Sequence, residues 1–370
     1  MQSVAQGWLV LRLTGSPLFL GIVAAAGSLP VLLLSFWGGT LADRQPKRRL
    51  MIYTQSVAML VSAVLTVLTL FHVITPWAIV FMAVCQGCVN AIDAPVRQSY
   101  MIQLVGRPLL TSALALNSTA FNAARVIGPA LAGIVVGYLG EGLVFGVNTL
   151  SFLAVLWALT KLRVPGNAKS PDELSPVVTY QDVYAFIRGN KRVHVLLLLA
   201  FALSVFGFAF LPLLPFLARE ILHLNAIGFG ILSAFQGVGA LIAAATVASP
   251  TKRGLRMSAG FVAVPLLLLF LAFNTSVAVA WLLSALLGFS GVGAMILTNT
   301  TLQGMVPDEM RGRIMSLFTL SILGLSPLGG LVAGYCVEYF GSLPAVLVGC
   351  ATLTLLTVTP LLVYGEVYKD

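Results

Sequence analysis

The chain has 370 residues, of which 59% are hydrophobic and only 9% charged. A soluble domain carries about 25% charged residues, so this composition excludes a water-soluble globular protein and points to one embedded in lipid. The net charge of +9 comes from cations scattered among short segments, not gathered on one folded face, which excludes a nucleic-acid binder.

In chain order, Met1–Thr14 holds an apolar stretch too short to cross a bilayer. It reads as the back half of a first helix whose N-terminal half would lie upstream of Met1. Eleven longer runs follow, each near the 20 residues that a crossing needs. They are Leu18–Leu41, Leu50–Phe71, Trp77–Val96, Leu110–Leu139, Leu143–Thr160, Val195–Leu217, Ile227–Ala248, Met257–Phe273, Val277–Leu297, Ile314–Val337 and Pro344–Val363. Backbone polar groups in lipid need partners within their own segment, so each run is expected to be a helix. Cys85, Cys88, Cys336 and Cys350 all fall inside these runs. The Cys85-x-x-Cys88 spacing lacks the polar loop and further ligands of a redox or metal pair and reads as helix packing; no metal or other cofactor is expected.

The cations set the orientation. Alternating sides from the loop at Asp43–Arg49 puts eighteen Lys and Arg residues on one face, Arg12 and Arg219 on the other, and Arg125 inside a span. That asymmetry makes the rich face cytoplasmic, with the C-terminus on that side. The longest polar stretch, residues 163–192, is then a cytoplasmic linker. Within it Thr179–Asn190 reads as an amphipathic helix, Val183, Phe186 and Ile187 opposing Asp182 and Arg188. The linker separates an N-terminal helical half, 1–162, from a C-terminal half, 193–370. The halves share a Gly-x-x-x-Gly-Tyr element, Gly133 to Tyr138 and Gly330 to Tyr335, 197 residues apart. The fold expected is all-α: a multi-pass membrane protein of two pseudo-symmetric six-helix halves, the first helix incomplete.

Between the first two long runs, Gly39, Asp43, Arg44, Lys47 and Arg48 resemble the loop signature of the major facilitator superfamily, G-x-x-x-D-R-x-G-R-[RK], with Pro46 where the signature has glycine. The opening Met1–Pro17, Ile92–Gln98 and Asn122–Gly133 resemble the bacterial exporter branch that includes enterobactin exporters. Gly128, Pro129 and Gly133 resemble the fifth-helix element of antiporters, with one extra residue before the last glycine. The resemblance implies two six-helix bodies around a midplane cavity, secondary transport by alternating access, and exchange for protons. The arginine of the superfamily's fourth-helix signature is absent: Ala83 stands three residues before Gln86-Gly87. Its proton-coupling role does not carry over.

A few polar residues sit inside the predicted spans. Arg125 near a helix centre costs about 2.5–3.5 kcal/mol to insert, so it is expected either to meet substrate with Asn122, Gln86, Asn90 and Gln236, or to act as an interhelical tie. Asn148 and Asn299 are weaker lining candidates. Asp93 either carries a coupling proton or pairs with Arg97 or the basic loop in an intracellular latch with Asp43. His72, His194 and His223 stand far apart, and no phosphate loop or nucleophile elbow occurs, so no enzyme is expected. The reading is a secondary active exporter of drug- or siderophore-like small molecules, coupled to protons, in the bacterial inner membrane. Its expected partners are the substrate, the bilayer and the proton, and it is expected to work as a monomer. The alternatives are an importer of a small anionic metabolite with Arg125 as ligand, and a transport-inactive fragment or partner protein.

Overall fold

A computed structural model of the chain describes residues 1–162, 180–246 and 253–364. Among them every regular element is a helix, and eleven helical segments are long and apolar enough to cross a membrane. Most of their ends fall within a few residues of those expected from the apolar runs; larger differences include Gly106 for the expected Val96, Leu116 for Leu110 and Met305 for Leu297. Large side chains stand open on their outer faces, among them Trp37, Phe71, Tyr138 and Phe273. A protein bathed in water rarely leaves so much contiguous apolar surface uncovered, whereas lipid covers it at no cost.

Two compact units are present, Met1–Pro171 with Leu224–Gly230, and Asp172–His223 with Ile231–Asp370. In the first, α1 (Gln2–Thr14) stops at Gly15, whose φ of 65° is the left-handed turn glycine adopts freely. Ser16 then caps α2 (Pro17–Arg44) by accepting the Phe19 N–H. Next come α3 (Lys47–Leu70), α4 (Pro76–Leu139) and α5 (Glu141–Lys161). Where the sequence suggests a loop between Val96 and Leu110, α4 continues as helix and breaks only at Gly106, at φ 71° and ψ 170°. The polar residues there favour leaving lipid, but the helix carries on past Arg97 and breaks only at Gly106, two residues before Pro108. One residue without a Cβ does the turning.

The second unit holds α6 (Tyr180–Gly189), α7 (Lys191–Ala202), the short α8 (Leu214–Phe216), most of α9 (Ala226–Thr246), α10 (Arg253–Ala272), α11 (Val277–Met305), α12 (Asp308–Thr319), α13 (Ser326–Phe340) and α14 (Leu343–Tyr364). The α6 helix lies within the amphipathic stretch expected at Thr179–Asn190; Thr179 itself is outside the described residues. Asn190 caps α7 through the Val193 N–H. The span that begins with α7 is irregular: π-helical turns occupy Leu203–Gly207 and Leu217–Ile221, with a tight 3₁₀ turn at Leu211–Leu213. Pro212 and Pro215 remove two N–H donors from this stretch. A third π turn, Leu320–Gly324, precedes α13. The Ser204 hydroxyl reaches from the first of these turns and donates to the Ile322 carbonyl in the third, at 2.9 Å. A π turn leaves the regular i→i−4 ladder, and this bond supplies one partner in a setting where water is scarce.

Candidate functional site

The N-terminal arm of α4 places two of the expected lining residues one turn apart. Gln86 Nε2 donates to Asn90 Oδ1 at 3.2 Å. This leaves Gln86 Oε1 buried with no hydrogen-bond partner among the described residues, an acceptor of the kind that costs about 1–3 kcal/mol to leave unmade. Gly87 beside it sits against α2: a Cβ there would run into the Gly27 carbonyl. The α2–α4 crossing is thereby fixed by backbone contact while Gln86 and Asn90 keep their amides for other uses.

Farther along α4, Asn122 and Arg125 do not form the pair their spacing suggests. The Asn122 amide turns back along its own helix and donates to the Ser118 carbonyl at 2.9 Å. Arg125 is exposed, inside the span Leu116–Leu139, and makes no hydrogen bond or ion pair among the described residues. Gln236 belongs to the second unit, where its carbonyl lies against Gly288 at the crossing of α9 and α11. Of the weaker candidates, Asn148 donates to Gln2 and, at 3.2 Å, to Ser62, tying α5 to α1 and α3. Asn299 accepts from Gln303 on its own helix. Both are occupied by ordinary helix contacts.

The expected latch residues fall in two groups. Gly39, Asp43 and Arg44 lie in the last turns of α2, and their side chains are outside the described residues. Asp93 is 7% exposed. Its Oδ1 accepts from Thr54 Oγ1 at 2.8 Å and Gln55 Nε2 at 2.7 Å, and its Oδ2 faces Arg97 Nε at 3.9 Å. The carboxylate thus joins α3 to α4, with Arg97 a distant third partner on a mostly exposed side chain, a pairing worth little by itself. Arg48 bonds elsewhere: its guanidinium donates to the carbonyls of Leu159 and Thr160 at 2.7 and 2.8 Å, capping the C-terminus of α5, where a cation is favoured. Under these polar contacts Met51, Val96, Tyr100 and Leu159 form a buried apolar cluster. The start of α3, the Asp93–Tyr100 stretch of α4 and the end of α5 are therefore one joined block, with Lys47 at its start.

Gly133, the last residue of the fifth-helix element, lies at a helix crossing within the first unit. A Cβ on it would come 2.7 Å from Gly230 Cα and 2.8 Å from the Ala226 carbonyl. Gly230 meets Gly133 and the Pro129 carbonyl in the same way. Gly137 presses on Ile227, and Trp8 stacks on Phe229 at 5.8 Å. Gly128 lies against Met1. The repeat partner in the second unit also makes a close contact, Gly330 against Pro212.

One charged pair is absent from the sequence expectations. Arg12 at the end of α1 donates through two nitrogens to Glu141 at the start of α5, at 2.9 and 3.2 Å. Glu141 is 6% exposed. The available signal was the placement of an acid just after Gly140, on the face whose only expected cations are Arg12 and Arg219. Replacing Glu141 with glutamine is expected to lower stability by about 1–3 kcal/mol, the worth of hydrogen bonds to a charged group. Melting of the purified protein in detergent checks this; an unshifted midpoint refutes it.

Eleven apolar spans with polar amides and a guanidinium held inside them describe a multi-pass membrane transporter. The sequence matches the family described as transmembrane secretion effector over residues 1–365, and the chain belongs to it, in the enterobactin-exporter-like branch of the major facilitator superfamily. It is 27% identical to the staphyloferrin A transporter of Staphylococcus aureus over 91% of this chain and 85% of that protein. It is 25% identical to the multidrug efflux pump Tap of Mycolicibacterium fortuitum over 95% and 90%. The enterobactin exporter EntS of Citrobacter koseri is 26% identical over 96% and 84%. Among solved structures, the nucleoside transporter NupG superposes with a TM-score of 0.79 at 13% identity, covering 98% of this chain and 94% of that one; this likeness concerns the fold. The family and these relatives are transporters, not enzymes, and the function is membrane transport of small molecules.

Proposed function

We propose that the protein is a secondary active exporter, moving siderophore- or drug-like small molecules out of a bacterial cell across the inner membrane in exchange for protons. The observation that carries this reading is the unspent polarity of α4 among the described residues: a buried acceptor without a donor, Gln86 Oε1, and a guanidinium without an acceptor, Arg125. A molecule bearing hydroxyl or amide donors and a negative charge supplies both missing partners. Siderophores have that chemistry, and relatives named for enterobactin and for multidrug efflux favour outward movement of such cargo. Gln86, Asn90 and Arg125 would bind, with Gln236 as a contribution from the C-terminal half. Asn122, already bonded to Ser118, would position the neighbouring turn. Residues 1–162 and 193–370 would rock as two bodies about the linker, in a monomer with a cytoplasmic C-terminus. The segment from Gly39 to Arg48 with Asp93 and Arg97 would hold one of the two states.

Everted membrane vesicles test this. With an acid interior, they are expected to accumulate iron-free enterobactin or a lipophilic fluorescent dye, and a protonophore should stop it. Accumulation of a small carboxylate in right-side-out vesicles instead identifies an importer. Absence of movement of all three probes in either orientation, at verified protein level, identifies a transport-inactive chain.

A further inference from the structure

Within the second unit, α10 and α11 leave a groove of ≈ 280 Å³ between them. We propose that it is a binding site for an anionic phospholipid, with Arg256 holding the headgroup and the groove holding an acyl chain. The inference rests only on the chain being membrane-spanning, not on what it transports.

Three observations lead there. First, the groove lies over a crossing of α10 and α11 that small residues line, so its floor is shallow side chains and helix contact. Gly260 approaches α11 so closely that a Cβ would lie 2.9 Å from the Ser290 carbonyl and 3.1 Å from the Ala294 Cβ. Gly293, Ala294 and Leu297 form a buried floor, while Phe289, 40% exposed, stands at one wall. Second, the cation is at one end only. Arg256 lies in the first turn of α10, and its Nη2 donates to the carbonyl of Thr246, the last residue of α9, at 2.9 Å. That bond holds the guanidinium at the mouth of the groove. Third, the depth fits. From Arg256 to Ala263 the helix descends about 10 Å at ~1.5 Å per residue, from the end of a span towards its middle. A charged mouth and an apolar shaft running into the bilayer match an amphiphile with an anionic head. A free phosphate would fill the mouth alone, and a zwitterionic lipid gains less there, because a cation at the membrane surface favours anionic lipids.

Native mass spectrometry of the full-length protein, exchanged into mixed micelles of phosphatidylglycerol and phosphatidylcholine of matched chains, tests the proposal. Retention of phosphatidylglycerol is expected to exceed that of phosphatidylcholine by about fivefold, the size of one basic side chain's attraction at a lipid surface. Arg256→Gln should remove the preference, and Ala263→Leu, which fills the groove, should lower retention of both lipids. A photoactivatable diazirine midway along the acyl chain of phosphatidylglycerol, in the unaltered protein, should label peptides covering 256–263 or 289–297. Equal retention of the two lipids overturns the proposal, as does labelling confined to other helices. Unchanged retention in Ala263→Leu reduces the site to surface charge and overturns the groove. Inorganic phosphate that displaces phosphatidylglycerol completely at millimolar concentration would likewise show that the chain contributes nothing.

Discussion

Replacing Gly133 with valine is expected to cost about 1–3 kcal/mol of stability, the usual penalty for forcing extra methyl groups into a filled contact, and to stop transport. The atoms it would strike are backbone: Gly230 Cα at 2.7 Å and the Ala226 carbonyl at 2.8 Å. Neither can swing away as a side chain would. Gly230→Val should do the same from the other side, since its Cβ meets Gly133 and the Pro129 carbonyl at 2.7 Å. The two alanine variants add one methyl each to the same gap, so Gly133→Ala with Gly230→Ala should lose more than the sum of the single losses. Gly304→Ala is the control: its Cβ meets nothing within 4 Å, and alanine is the better helix former. Melting midpoints in detergent and transport per folded molecule report the two effects. A Gly133→Val protein that melts and transports like the parent would remove the crossing from any account of this family's fifth-helix element.

The eleven spans were legible in the sequence because lipid imposes a length and an apolar content that soluble folds do not. Leu143–Thr160 and the helix Glu141–Lys161 differ by no more than two residues at either end. Single-residue geometry was less legible. Gly106, two residues before Pro108, turns α4 where a polar loop was expected, since a stretch whose only charges are Arg97 and Arg107 does not tell whether the backbone stays helical outside the bilayer. The π turns at Leu203–Gly207 and Leu320–Gly324 lie in sequences that read as plain apolar helix, and the bond from Ser204 to Ile322 that accompanies them joins residues far apart in the chain. Among the polar candidates, spacing puts Asn122 one turn from Arg125 but could not show that its amide prefers the Ser118 carbonyl one turn back. Asp93 was expected either to carry a proton or to pair with Arg97 or the basic loop. Arg97 does face it at 3.9 Å, but its shortest contacts are from Thr54 and Gln55, neutral residues on a helix that the sequence offered no way to align with it.

Arg125→Ala is expected to reduce transport per folded molecule by at least about tenfold, the effect of removing one charge-assisted contact of some 1.5–3 kcal/mol, while leaving the folded yield equal to or above that of the parent. The second half of this expectation separates the readings. An arginine that ties helices together stabilises the fold, so its loss lowers yield and spares the activity of surviving molecules. Arg125 makes no hydrogen bond or ion pair among the described residues, and Asn122 is engaged elsewhere at 2.9 Å. Insertion of an arginine near a span centre costs roughly 2.5–3.5 kcal/mol, so removing it relieves a cost without breaking a contact. Arg125→Lys should recover only part of the activity, because an ammonium restores the charge but not the planar fork that binds a carboxylate or catecholate through two nitrogens. Both quantities come from one preparation: folded protein by size-exclusion chromatography, and uptake into everted vesicles normalised to it. A fall in yield with unchanged specific activity would assign Arg125 to packing and leave Gln86 and Asn90 as the polar groups of α4 open to substrate.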